Sequence, residues 1–111
     1  MSISEIFRLP NTGMRGVLLD AVAAQDNGDW LDVEGYGKKT IEIIISNTAT
    51  AQVYVSNAPA KPLNTADHIK VGADVTTSGL VELTSPVRWL KVKVSGWTSG
   101  TVSAYVNGLP V

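Results

Sequence analysis

The sequence contains no cysteine, a single histidine and few charged residues. Without cysteine the chain has no disulfide framework, no thiolate zinc site and no Cys nucleophile, and one histidine cannot build a histidine-based metal site. Nine basic and ten acidic residues leave a net charge of -1, so charge does not favour binding to nucleic acid or to a membrane surface. The 111 residues suffice for one domain, which excludes a multidomain enzyme.

The sequence also lacks a long apolar run. No stretch approaches the roughly 20 apolar residues of a membrane-spanning helix. Glu5 and Arg8 interrupt the first ten residues, where a secretory signal peptide would have its apolar region. We therefore expect a soluble protein that is made in the cytoplasm without a leader.

The residues that are abundant are β-branched. The chain has 14 Val, seven Ile and ten Thr against nine Leu, a composition that favours strands over helices. Apolar residues alternate in 39–46, 51–56, 89–95 and 102–106, and this two-residue period predicts strands with one buried face. We expect two hairpins, Lys39–Ser56 and Arg88–Val106.

Shorter strands are predicted at Met14–Ala24, at Trp30–Val33 and on either side of Ser78-Gly79. Residues 57–67 contain two Pro and several Asn, Thr and Ala, which is typical of a long surface loop. The fold class predicted is all-β: a single antiparallel β-sandwich or jelly-roll-like domain of seven or eight short strands, comprising residues 15–111.

Residues 1–14 differ from the rest of the chain, and we predict that they form an N-terminal arm. Their large apolar residues would be exposed on a monomer unless they dock on something. The residues expected to bind a partner are Ile3, Ile6, Phe7, Arg8 and Leu9. The alternative is an extra edge strand folded onto the chain's own sheet.

Three tryptophans, Trp30, Trp89 and Trp97, are the other candidate binding residues. Exposed aromatic rings on a β-sandwich could stack on sugars, whereas buried ones would fill the core or an interface. Trp89 is the best candidate for exposure because the alternation places it opposite Leu90 and Val92. A coplanar exposed row would favour sugar binding, and burial would favour a scaffolding role.

No catalytic motif is present, and we expect neither enzymatic activity nor a cofactor. His68, between Asp67 and Ile69, is expected to be an ordinary surface residue. An acidic string could attract calcium, but turn formation and a solvated strand face explain it more simply. The string consists of Asp26, Asp29, Asp32 and Glu34.

Two segments carry a resemblance to a known group of proteins. Leu83–Val94 (LTSPVRWLKVKV) leads through a Ser/Thr-Gly turn to residues 98–106 (TSGTVSAYV), and residues 30–36 (WLDVEGY) precede an Ile-rich strand. In this arrangement, over about residues 28 to 107, the chain resembles small β-sandwich structural proteins of tailed bacteriophages. Among them it looks most like capsid decoration (cement) proteins.

The resemblance implies a non-enzymatic virion protein on the capsid surface that bridges subunits of the major capsid protein or contacts another virion protein. It also implies a homo-oligomer, with a trimer favoured, and suggests residues 1–14 as the capsid-gripping arm. A carbohydrate-binding module and a tail, baseplate or fibre-associated module remain alternatives. No binding residue can be carried over individually, because the motifs do not define one.

Overall fold

The computed structural model describes residues 5–9 and 13–110, with side-chain positions from residue 13 onward. Within these ranges the chain forms nine strands and no helix. The strands are β1 (Glu5–Leu9), β2 (Gly13–Val22), β3 (Leu31–Asp32), β4 (Tyr36–Ile45), β5 (Thr48–Ser56), β6 (Ile69–Val75), β7 (Gly79–Leu83), β8 (Trp89–Ser99) and β9 (Val102–Pro110).

The strands form two antiparallel sheets. The five-stranded sheet has the order β1-β2-β9-β4-β7, and the four-stranded sheet has the order β3-β8-β5-β6. Buried residues of both sheets belong to one apolar cluster. The all-β antiparallel sandwich predicted from the sequence is therefore confirmed.

The two predicted hairpins are wrong, although their strands are present. β4 and β9 lie in the five-stranded sheet, whereas β5 and β8 lie in the four-stranded sheet. The turns after β4 and after β8 therefore cross from one sheet to the other. Alternation identifies the buried face of a strand, but it does not identify the neighbour to which the strand is hydrogen bonded.

These two crossing turns are hydrogen bonded to each other. The backbone N–H of Ser46 donates to the carbonyl of Thr101 at 3.0 Å, and the N–H of Thr101 donates to Ser46 Oγ at 2.8 Å. Gly100 lies between them with φ of 84°, and a Cβ there would come within 2.6 Å of the Ser46 and Asn47 side chains. The local structure requires glycine at position 100.

The core is built from the apolar faces that the alternation predicts. Ile41 and Ile43 of β4 are fully buried, as the two-residue period requires. Leu90 and Val92 of β8 are buried on the opposite sheet. Met14 of β2 is also fully buried, and β1 is part of the five-stranded sheet, so the sandwich includes residues that lie before residue 15.

One lysine occupies a core position on β4. Lys39 is in phase with Ile41 and is fully buried, and its Nζ donates to three backbone carbonyls: Tyr36 at 2.7 Å, Gly37 at 2.9 Å and Ser85 at 3.1 Å. These acceptors replace the water that the ammonium loses. Burial lowers the pKa of Lys39 below its ordinary value of 10.5.

Candidate functional site: two outer sheet faces

Residues 57–68, which we call the covering loop, lie across the outer face of the four-stranded sheet. Two indole groups bind its backbone: Trp30 Nε1 donates to the Leu63 carbonyl at 2.9 Å, and Trp89 Nε1 donates to the Ala58 carbonyl at 3.0 Å. Trp30, Tyr54 and Trp89 form a second buried cluster beneath the loop. The long loop predicted from composition is present, and it closes a small separate core.

A buried lysine links this cluster to the covering loop. Lys91 Nζ lies 5.0 Å from the centre of the Trp30 ring and 5.6 Å from that of Tyr54, distances at which a cation is attracted to an aromatic face. The same Nζ donates to the Asn64 carbonyl at 2.6 Å and to Asp67 Oδ1 at 3.0 Å. The ammonium is therefore held by the loop above and the rings beside it.

Asp67 is the acidic partner of two lysines. Lys93 Nζ contacts Asp67 Oδ2 at 2.9 Å, and Lys91 contacts the other oxygen. Burial by itself would raise the pKa of Asp67, but the hydrogen bonds from Lys93 and Lys91, together with their positive charges, outweigh burial and hold this pKa below 3.8. Asp67 therefore stays ionised and fixes the end of the covering loop.

The tryptophans do not form an exposed row. Trp30 is 2% exposed and Trp89 is 7% exposed, whereas Trp97 is 39% exposed. The expectation that Trp89 is exposed is wrong: it does lie on the outer face of its sheet, but the covering loop buries it. Trp97 Nε1 donates to the Gly100 carbonyl at 3.0 Å, near a crossing turn.

The N-terminal candidates lie partly outside the described residues. Ile3 is outside them. The backbone of the other four, Ile6, Phe7, Arg8 and Leu9, belongs to β1, which pairs antiparallel with β2 at the edge of the five-stranded sheet. Their side chains also lie outside the described part, so partner binding by residues 1–14 stays a prediction. The edge strand that the sequence left as an alternative is present in Glu5–Leu9.

The outer face of the five-stranded sheet contains a shallow depression of about 910 Å³. Two rows of paired residues cross four strands in the order β2, β9, β4, β7. One row is Arg15, Asn107, Thr40 and Glu82; the next is Val17, Tyr105, Glu42 and Leu80. Leu80 is 72% exposed and Tyr105 is 37% exposed. None of the eight residues in these two rows was predicted from the sequence as a binding residue, since the rows join four strands that are distant in the chain.

The acidic string near residue 30 is divided among separate contacts. Asp26 Oδ1 accepts from the Gly28 N–H at 2.8 Å, and Asp32 Oδ1 accepts from the Glu34 N–H at 3.0 Å. Asp29 pairs with Lys61 at 3.0 Å. In the described part of the chain, no three His, Cys, Asp or Glu side chains converge on a possible metal position.

His68 ends the covering loop at the surface. Its Nδ1 is 2.7 Å from Ser56 Oγ, and its ring meets the edge of Trp30 at a centroid distance of 5.8 Å. Its φ of 49° is left-handed. These contacts give His68 a role in holding the loop.

Comparisons with known proteins give no match: no family model matches the chain, and neither a curated protein nor a solved structure is significantly similar to it. Across residues 5–9 and 13–110, no helix has the length and apolar character needed to cross a membrane.

Proposed function

We propose that this chain is a non-enzymatic structural protein of a virion, a capsid decoration protein that binds the outer shell of a tailed bacteriophage. The observation that carries the proposal is the burial of Trp30 and Trp89 beneath the covering loop. A sugar platform needs exposed, coplanar rings, and these two indoles instead fix a loop. Burial of the aromatics supports a scaffolding role over sugar binding.

The exposed apolar residues also support contact with other proteins. Leu63 of the covering loop, Ile69 of β6 and Leu80 of β7 are each more than 60% exposed. Apolar side chains spread over several surfaces suit a small domain that meets several neighbours in an assembly. The phage resemblance in residues 28–107 supplies the kind of assembly.

For capsid binding we propose the N-terminal segment with its strand β1. Within the described ranges β2 is the one strand paired with β1, so the far edge of β1 can add a strand from a partner sheet. This mode would place residues 1–9 between the sandwich and the major capsid protein.

Cosedimentation with capsid shells that lack the protein tests this function. The full chain should pellet with shells of the phage that encodes it, whereas a chain without residues 1–9 should stay in the supernatant and still melt cooperatively. Ile69→Ser, on an edge of the other sheet, is the matched control and should still pellet. Failure of the full chain to pellet would contradict the decoration function. A truncated chain that pellets normally would contradict only the role of β1 in capsid binding and would leave the decoration function standing.

A further inference from the structure

We propose that the outer face of the five-stranded sheet is an interface between two copies of this chain, related by a two-fold axis. The axis would lie midway between the two facing sheets. It would run parallel to the strands, over the gap between β9 and β4. This interface does not depend on capsid binding, because it uses the outer face of β2, β9, β4 and β7, whereas the proposed capsid contact uses the far edge of β1.

The two rows across this face are complementary to themselves under that axis. The rotation places β2 of one copy over β7 of the other, and β9 of one copy over β4 of the other. Each residue therefore meets the residue at the mirrored place in the same row of the second copy. Arg15 then meets Glu82 of the second copy, and Glu82 meets its Arg15. Both charges are exposed, and Glu82 also pairs with the exposed Lys38 of its own chain at 3.3 Å. Each copy still offers the Arg15 cation and the Glu82 carboxylate in matching positions, as a two-fold interface requires.

The second row places apolar side chains against each other. Half-buried Val17 meets the exposed Leu80 of the second copy. The Tyr105 hydroxyl of one copy can donate to the Glu42 carboxylate of the other. Packing would remove Leu80 from water, where it is 72% exposed in the single chain. The row therefore supplies two apolar contacts and two hydrogen bonds around the axis.

Face-to-face packing of the two sheets with their strand axes parallel fits the geometry of aligned sandwiches, in which the mean strand directions stay within about 30° of each other and the sheets lie about 10 Å apart. Four strands span about 19 Å across, and the paired stretch Lys39–Ile45 of β4 extends about 24 Å along them, which gives a contact of roughly 460 Å² per copy. Roughly 900 Å² in total is close to the lower limit for a specific interface. We therefore expect a dimer with a dissociation constant in the micromolar range.

The edge of the four-stranded sheet is a less suitable place for pairing between copies. Between Val71 and Val75, β6 has two more residues than its partner has between Ala51 and Val53, and Gly72 takes φ of 73° within this bulge. Lys70 and Asp74 form an ion pair across the bulge. A bulge and charged residues protect an edge from adding a further strand.

Sedimentation velocity over a concentration series tests the interface. The wild-type chain should pass from monomer to dimer, and Leu80→Glu should remain monomeric at every concentration. Ile69→Glu introduces the same charge at an equally exposed apolar site on the other sheet and should dimerise like the wild type. Circular dichroism melts should show that all three proteins are folded.

A charge exchange tests the register of the two copies. Arg15→Glu should weaken dimerisation at least tenfold, because it places two carboxylates together at each end of the row. Adding Glu82→Arg to the Arg15→Glu variant should restore dimerisation. A wild-type chain that stays monomeric, a trimer such as the phage resemblance implies, or a dimer unaffected by Leu80→Glu would each overturn the proposal. Failure of the double variant to recover dimerisation would overturn the two-fold arrangement that pairs Arg15 with Glu82.

Discussion

The outer face of the four-stranded sheet is covered by the chain itself, whereas the outer face of the five-stranded sheet is open. On the covered face, Trp30 and Trp89 donate to carbonyls of the covering loop. On the open face, no loop within residues 13–110 covers Leu80 or Tyr105 in this way. The difference shows that aromatic content by itself does not reveal a binding surface, because a loop can turn a sheet face into a second core.

The largest loss of stability is expected from removing the indole that anchors the covering loop. Trp30→Ala should lower the free energy of unfolding by about 3–5 kcal/mol, because a large buried side chain leaves a cavity and the Leu63 carbonyl loses its donor. Urea denaturation measures this loss. Trp97→Ala, which removes a partly exposed indole, is the control and should cost far less. Equal losses in both variants would show that the covering loop does not form a core.

A smaller effect is expected from neutralising the carboxylate at the end of the covering loop. Asp67→Asn keeps the shape of the side chain but weakens its bonds to Lys91 and Lys93, so we expect a loss of about 1–2 kcal/mol, moderated because Asp67 is partly exposed. Asp74→Asn, in the exposed pair with Lys70, should have little effect. A null result for Asp67→Asn in chemical denaturation would argue against a stabilising role for the lysine pair.

The same carboxylate predicts how the covered face responds to acid. Folding lowers the pKa of Asp67 below its unfolded value, near 3.8. The contribution of Asp67 to the free energy of unfolding is therefore fully present above the unfolded pKa and is lost as pH falls through the folded pKa. The stability difference between wild type and Asp67→Asn should therefore shrink between about pH 5 and about pH 2. Thermal melts of both proteins across this range measure it, and a constant difference would contradict the assignment.

The smallest effect on stability is expected on the open face. Leu80→Ala should change the free energy of unfolding by less than about 0.5 kcal/mol in dilute solution, since this side chain is mostly in water. Leu83→Ala on the same strand removes a side chain that is 6% exposed and should cost about 2–4 kcal/mol. Similar losses for the two leucines would mean that the outer face is not open.

The sequence was sufficient to predict where the main strands lie, but not which strands they pair with. The alternation in β4 and β8 predicted both strands and their buried faces, because the period of two follows from strand geometry. Pairing depends on which sheet a strand enters after a turn, and the residues around Asn47 and Gly100 are compatible with a hairpin and with a crossing. The two hairpins were therefore predicted where crossings occur.

Local sequence patterns also could not predict the contacts of the covered face. Trp89 was assigned correctly to the face opposite Leu90, but its burial depends on a loop more than 20 residues earlier in the chain. Lys39 offered a better signal, because it shares the phase of Ile41 and Ile43 in the sequence. A lysine in phase with core isoleucines indicates a buried ammonium, which must find several acceptors. Lys91 offered no comparable signal.

The crossing turns at Ser46-Asn47 and Gly100-Thr101 have a consequence for how quickly the chain can reach this structure. Because these turns join strands of different sheets, neither turn closes a hairpin, and the most extensive pairings of β4 and β5 are with β9 and β8, each far along the chain; among the described strands only β1–β2 and β5–β6 pair neighbours in sequence. Few contacts form early between neighbouring segments, and the entropy of closing large loops is lost before the pairs form. Refolding should accordingly take milliseconds to seconds, during which the apolar face of Ile41 and Ile43 is exposed to other chains.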